Sequence, residues 1–517
     1  MKRLFYWILA LSLLLTACKE DIPNHYAEPS DEYLSISPDY SQMTIPYNIA
    51  PLNFRINEQA DTYLAVAYSN TGKAIKAEGQ KIRWKLKAWK ALLEANKGQN
   101  LTIDLYLKRG EQWYKYPHLL LFIAEEPIDP YISYRLIEPG YALFENLSIN
   151  QRNLTNFEEK IIFSNTPLST TDKGQCINCH SYQNYNKTGN MQFHVRQHLG
   201  GTVIVQDGKA MKMNLKTDYT ISNGVYPAWH PTLNLIAYSV NDTYQNFHTN
   251  NVEKIEVMDH QSDLILYDIA KNEVRTIAND SLELETFPAW SADGKYLYYA
   301  SATMPEGLQD GEAYAIEQYN EFYYNLYRKA FDPDTYEFTA TDTLFMASNH
   351  QKSATFPRES PDGRYLLFTL GDYGNFHIWH KSSDLYLIDL QSGESRNLRE
   401  LNSPDVESYH SWSSNGHWII FSSRRDDGSY TRPYIAYFKD GKASKPFILP
   451  QENPDFYGEF FKSYNIPEFM VAPVPISRQD LISTVKGEAQ TVNYRTTEND
   501  KIIKTEKREN GKENIYQ

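Results

Sequence analysis

Apolar residues along most of this chain fall in short alternating runs, broken by Asp-Gly, Asn-Gly and proline-bearing turns. Alternation with a period of two predicts strands, and the turn pairs predict hairpins. Within 31–165 such runs lie at 44–56, 62–68, 101–108 and 119–124. The stretch 82–93 breaks the pattern. Its Trp84, Leu86, Trp89 and Leu92 or Leu93 fit a short amphipathic helix, although its first half reads equally as a strand. The expectation for 31–165 is a β-rich, sandwich-like domain with a helical insertion, by default a packing or docking module.

Beyond residue 200 the pattern becomes a repeat. Tyr226-Pro227-Ala228-Trp229, Phe287-Pro288-Ala289-Trp290, Phe356-Pro357-Arg358-Glu359 and Tyr409-His410-Ser411-Trp412 each precede an apolar run. Asp293-Gly294, Asp362-Gly363 and Asn415-Gly416 supply the turns between, because Gly and Asn accept the positive φ of a tight hairpin. The first copy has Thr232-Leu233 where the turn pair should stand, and the third has Arg358-Glu359 in place of Ala-Trp. Second hairpins follow at 263–268 and at 384–389, the latter turning at Gly393. The pattern resembles the WD40-like repeat of TolB-type propellers over residues 201–475. That resemblance implies a β-propeller of five or six blades, with these residues in turns and core. Strands at 202–205 and 209–215, joined by Asp207-Gly208, are expected to complete a blade with strands near 460–471. The fold class is therefore mainly β.

Chemistry concentrates in one pentad. Cys176, Cys179 and His180 spell C-x-x-C-H, the attachment sequence of c-type haem, with two thiols for the vinyl groups and a histidine for the iron. The expectation is one covalent haem c in a segment at 166–200, with Cys176, Cys179 and His180 holding it. Met191 or His194 is the candidate distal ligand, and a five-coordinate iron stays open. Two rivals stand beside this reading. Cys176, Cys179, His194 and His198 approach a Cys2His2 zinc spacing, and the two cysteines can form a disulfide.

The N-terminus speaks to compartment. Met1-Lys2-Arg3, an apolar run at 4–15 and Leu15-Thr16-Ala17-Cys18 resemble a lipoprotein signal, with Cys18 lipidated after cleavage at 17. Residues 18–30 would form a linker. Lys19 follows the cysteine instead of the aspartate of inner-membrane retention, and Lys19-Glu20-Asp21 resembles the export signal of surface lipoproteins in Bacteroidetes-type bacteria. A formal charge of −14 argues against nucleic acid as a partner. Residues 476–517 are charged and read as a loosely held extension.

Taken together these features resemble a Bacteroidetes-type group of haem-bearing, TolB-like lipoproteins. The order of haem segment and propeller also loosely resembles the alpha subunit of hydrazine synthase, but the second haem domain of that enzyme has no counterpart here. The resemblance implies a lipid-anchored envelope protein, at the outer membrane and facing periplasm or surface. Its expected work is one-electron transfer, with a redox partner or envelope protein docking on the propeller. Whether it is an enzyme stays open, since an open iron site would allow peroxide or small-ligand chemistry. The alternative is a haem-free propeller that binds proteins or glycans. No G-x-S-x-G stands in the sequence, which weakens a hydrolase. His377 and His380 read as solvated loop residues.

Overall fold

Six times in this protein an inner strand carries one residue more than the strand beside it. The extra residue falls at 178–181, 225–228, 286–289, 355–358, 408–410 and 465–468. At each bulge one side chain sits at positive φ: Cys179 (49°), Tyr226 (48°), Phe287 (53°), Phe356 (54°), Tyr409 (37°) and Ile466 (50°). Bulky residues seldom adopt that region, so six copies mark one repeated device. The computed structural model describes residues 22–29, 33–138, 146–168, 175–305, 317–496 and 502. Cys18 and the signal sequence lie outside them.

Each bulged strand is the inner strand of a blade. The first blade runs Gln175–Tyr182, Met191–Gln197, Gly201–Gln206 and Lys209–Asn214. The second is Val225–Trp229, Leu235–Phe247, Ile255–Asp268 and Glu273–Ala278. Its sheet is joined to that of the third, Glu283–Trp290, Tyr296–Thr303, Asn325–Phe331 and Phe338–Phe345, by a single parallel bridge at Ser262 and Leu284. The fourth comprises Ser353–Glu359, Tyr365–Gly371, Asp384–Asp389 and Ser395–Asn397. The fifth opens with Glu407–Trp412, Trp418–Ser423 and Arg432–Lys439. The sixth takes its inner strand, Ser463–Met470, from late in the chain and Tyr131–Ile137, Ser148–Asn153 and Glu159–Ser164 from early in it. Pairing of late with early strands closes the ring without leaving long sheet edges.

Three boundaries read from the sequence change accordingly. Residues 131–164 belong to the sixth blade and not to a domain ending at 165, because they alone pair with Ser463–Met470. Strands 201–206 and 209–214 complete the blade that starts at Gln175, not one with 460–471. The tail is packed as far as residue 496. Ser477 caps the helix Arg478–Lys486, Leu481 and Val485 bury one turn apart, and Tyr494 stacks on Tyr219 at 4.6 Å.

The turn chemistry follows the repeat. Ser291 Oγ donates to Asp293 Oδ1 at 2.7 Å and accepts from the Tyr296 amide at 2.9 Å; Ser360–Asp362 and Ser413–Asn415 repeat the arrangement. In the degenerate first copy one histidine does the same work. His230 Nδ1 accepts from the amides of Thr232 and Leu233, and Nε2 donates to the Gly294 carbonyl at 3.1 Å. A Cβ on Gly294 would lie 2.4 Å from that ring, so the close approach requires glycine.

A second unit comprises Pro51–Ile123, Pro450–Gly458 and the described residues up to Gln42. Its larger sheet orders Ile75–Glu78, Thr62–Tyr68, Asn100–Arg109 and Gln112–Ala124; a small sheet holds Ile36–Ser37, Phe54–Ile56 and Lys81–Ile82. The helix is Leu86–Glu94, shorter than the stretch read from sequence, and buries Trp89, Leu92 and Leu93. Trp84 and Trp89 stack at 6.0 Å.

Candidate functional site

The C-x-x-C-H pentad lies on the inner strand of the first blade, at the bulge. Cys179 holds the place that Tyr226, Phe287 and Phe356 hold in later blades, and His180 holds the place of Pro227, Pro288 and Pro357. Three of the bulge side chains stack in series toward the axis, Tyr226–Phe287 at 4.5 Å and Phe287–Phe356 at 4.3 Å, and Tyr409 follows at 4.5 Å from Phe356. Such pairs add about 0.5–1.5 kcal/mol each beyond simple burial. Cys179 is a member of this ring, 2 % exposed, and burial pushes its thiol pKa up. Cys176 is 8 % exposed and packs with Ile177, Tyr182, Met191 and Phe193.

Haem attachment needs both thiols side by side at one porphyrin edge. Here they stand three residues apart along a strand, the second at its bulge, and both sulfurs are enclosed by side chains. As arranged here the two thiols do not fit a porphyrin bonded through both. They form no disulfide with each other. Among the described residues no group of three or more His, Cys, Asp or Glu is placed to hold a metal ion. Met191 points into the hydrophobic cluster, while His194, three residues on, lies on the opposite face of the strand. Its Nδ1 is 3.2 Å from Thr202 Oγ1, and burial, then the nearby Arg196, holds its pKa down at about 3.

His180 is different. It is 2 % exposed, and neither ring nitrogen has a hydrogen-bond partner. Burial, then the charge of Arg135, lowers its pKa to about 3. Glu468 Oε2 lies 3.7 Å from its Nε2. Arg135 itself stitches the first and sixth blades, donating to the Ile177 carbonyl at 3.1 Å, to Asn178 Oδ1 and to Asn465 Oδ1 at 3.0 Å.

The residues that follow each bulge build a cavity of about 400 Å³ on the axis. Two positions past the bulge come Ser181, Ala228, Ala289, Arg358, Ser411 and Glu468, and all line it. Three positions past come Tyr182, Trp229, Trp290, Glu359, Trp412 and Phe469, and these line it as well. Four of the former set are small, which is what leaves the space. The tryptophans latch neighbouring blades: Trp290 Nε1 donates to the Ala228 carbonyl at 3.1 Å, and Trp412 Nε1 to that of Arg358 at 3.0 Å.

Two ionisable groups break the small-residue rule at the floor. Arg358 Nη1 donates to the carbonyl of Pro357 at 3.0 Å, and among the described residues no carboxylate lies within ion-pair distance of it. Glu468 keeps 23 % of its side chain open, yet burial raises its pKa to about 8, against the pull of Arg358. Glu359, also in the lining, accepts from Tyr298 OH at 2.5 Å.

Over the rim lies a strained turn. Asn184, Tyr185 and Asn186 are all left-handed, with φ of 44°, 58° and 59°. Each costs about 1–2 kcal/mol, so surrounding bonds must fix the turn. Val471 N donates to the Tyr185 carbonyl at 2.9 Å, Asn186 Nδ2 to that of Ala472 at 2.8 Å, and Gln183 Nε2 to that of His230 at 3.0 Å. Lys187 and Ala292 stand exposed where the cavity meets solvent.

Sequence reasoning noted Arg358 as a break in the repeat and gave it no role. Glu468 carried a weaker signal, because Ile466-Pro467 is a sixth copy of the bulge pair with an aliphatic residue for the aromatic. The loop histidines need correction too. His377 and His380 are buried, at 0 % and 1 %, because the loop folds under the long second-blade hairpin. His380 Nε2 lies 2.9 Å from Glu256 Oε2, and Tyr373 OH donates to Oε1 of the same carboxylate at 2.8 Å.

No known protein-family model matches the chain, and no curated protein matches it. Solved structures similar to it have propeller-type folds. Tricorn protease aligns at 12 % identity with a TM-score of 0.33, covering 68 % of this chain and 34 % of its own, so the chain spans about a third of that protein. Oligogalacturonate lyase in complex with manganese aligns at 12 % identity and TM-score 0.30, over 80 % of this chain and 99 % of its own. A DUF4784 family protein from Bacteroides caccae aligns at 8 % and 0.32, over 84 % and 100 %. The propeller assignment rests on the sheet pairing above.

Proposed function

We propose that this protein is a binding protein of the cell envelope whose axial cavity takes a short saccharide. One observation carries the reading: residues two and three places past every bulge converge on a single cavity of about 400 Å³. That volume falls in the range of small-ligand sites. Hydroxyls of Ser181, Ser411 and Ser414, the Asn184 amide and aromatic edges suit a polar ring compound. The strained turn at 184–186 beside the rim is the kind of backbone found where function demands it. The sequence at Cys18 supports lipid anchoring, and no helix among the described residues is long and apolar enough to cross a membrane.

A glycan array followed by titration calorimetry tests the reading. Wild type should retain a subset of glycans. Ala292→Trp, which blocks the mouth from an exposed position, should lose them at least about tenfold while melting like wild type. Equal retention by both proteins would place binding elsewhere.

A second reading keeps the mono-haem c protein, with electron transfer to a partner docked on the propeller. It rests on the C-x-x-C-H sequence and on the two unpartnered nitrogens of buried His180. It requires the strand Gln175–Tyr182 to open so that Cys176 and Cys179 reach one ring edge. The haem would supply redox chemistry, and His180 would bind its iron, with His194 or Met191 as the distal candidates. Protein matured with the c-haem machinery should then show a Soret band that survives acid-acetone extraction; a colourless folded protein ends this reading.

A further inference from the structure

Of six equivalent positions on the cavity floor, four carry Ser or Ala, and one carries a guanidinium with no carboxylate of the described residues within ion-pair distance. Removing a charge from water without a partner is costly, so an arginine held there needs an anion or an open route to solvent. The protein's own carboxylates do not serve. Glu359 is engaged by Tyr298 OH at 2.5 Å and by the Ala292 amide at 3.4 Å. Glu468 feels the charge of Arg358 but lies outside ion-pair distance of it; its Oε2 sits 3.7 Å from the neutral ring of His180. Burial keeps Glu468 largely protonated near neutrality, so that it neither neutralises the guanidinium nor repels an incoming anion.

We propose that the ligand of the axial cavity is an acidic saccharide, whose carboxylate pairs with Arg358 on the cavity floor. The inference rests on the saccharide reading above and names the class of sugar. A carboxylate fits better than a phosphate monoester. It is planar, matches the fork of a guanidinium with two parallel hydrogen bonds, and carries the single charge that one fixed cation balances. Lys187, the other cation lining the cavity, is exposed at its mouth. Protonated Glu468 can donate one further hydrogen bond to the bound carboxylate.

The test uses glucuronic- and mannuronic-acid oligosaccharides, each beside its carboxyl-reduced counterpart, with affinities measured by calorimetry on the full chain. Wild type should prefer the acidic member by about 10- to 100-fold, the worth of charge-assisted hydrogen bonds. Arg358→Gln should abolish the preference, lowering affinity for the acidic member far more than for its reduced counterpart; Arg358→Lys should keep part of it. Both variants retain the main-chain carbonyl that holds Trp412, and near-ultraviolet dichroism confirms their fold. Equal affinity of wild type for the two members of each pair overturns this inference and leaves the saccharide reading standing. A preference that persists in Arg358→Gln removes Arg358 from the role. No binding of any sugar by wild type overturns the reading beneath it.

Discussion

The indole N–H of Trp412 donates to the main-chain carbonyl of Arg358 at 3.0 Å, so the tryptophan of the fifth blade holds the backbone of the fourth and leaves the arginine side chain facing the cavity. Trp290 holds Ala228 in the same way one blade pair earlier. Replacing Trp412 by Phe keeps one aromatic ring, deletes a buried donor and removes part of the buried indole. The cost should be about 2–4 kcal/mol in urea unfolding, from the orphaned carbonyl, the lost bond and the space left behind. Arg358→Gln should unfold within about 0.5 kcal/mol of wild type, because its side chain has no ion-pair partner among the described residues. A larger loss in Arg358→Gln than in Trp412→Phe would reverse the assignment of latch and ligand group.

The thiols give a direct reading of what Cys176 and Cys179 do. Both are buried and outside any disulfide, and burial raises the pKa of Cys179, which suppresses its thiolate. In protein beginning after Cys18, Ellman's reagent should find almost no reactive thiol in the native state and two per chain in denaturant. Thioether-bonded haem would leave none in either state. A fast native reaction would show that the first blade opens.

Most of the propeller was legible because its turns are chemical. Asp293-Gly294 and Asn415-Gly416 announce hairpins by the φ they tolerate, and the aromatic-proline pairs announce the bulge strand. Two blades stayed hidden for one reason. Their bulge residues are Cys179 and Ile466, where no aromatic is present, and the pentad around Cys179 drew attention to its haem pattern instead. Sequence order concealed the sixth blade further, since Tyr131–Ile137 meets Ser463–Met470 only in three dimensions. Arg358 was visible as an irregularity. Its position on the cavity floor was not, because facing the axis is a property of the ring and no local pattern encodes it.

Stability should fall in acid, and the histidines give the sign. Burial lowers the folded pKa of His230 to about 4 and those of His180, His194 and His410 to about 3, below the ordinary value near 6.5. The unfolded chain therefore binds more protons between pH 6.5 and 3, so this stability is complete above about 6.5 and is lost as pH falls toward those values. The slope is up to about 1.4 kcal/mol per pH unit for each histidine. His230→Gln, whose amide can serve both turn amides and Gly294, should flatten the melting temperature between pH 6.5 and 4. Buried carboxyls act in the opposite direction. Burial raises Glu285 and Glu468 to about 8, so their ionisation favours unfolding as pH rises from about 4.5 through 8. Glu285→Gln should remove part of that alkaline loss, and identical pH profiles for wild type and variant would show that Glu285 is ionised in the fold.

Arg135 marks where the ring should fail first. The seam between the first and sixth blades joins the inner strands Gln175–Tyr182 and Ser463–Met470, and this one guanidinium reaches both, through Ile177 and Asn178 on one side and Asn465 on the other. It is 5 % exposed. A lysine cannot replace it, since a single ammonium on a flexible stem lacks the planar fork that spans three acceptors. Arg135→Ala strands those acceptors in a buried seam, each at a cost of about 1–3 kcal/mol, offset in part by removing a buried charge. The expected result is a lower urea midpoint for both variants, with Arg135→Lys closer to wild type. Hydrogen exchange should accelerate at amides of the two seam strands before it does at Glu283–Trp290 on the far side of the ring. Uniform acceleration around all six inner strands would mean that the ring opens as a whole, and that Arg135 is one bond among many.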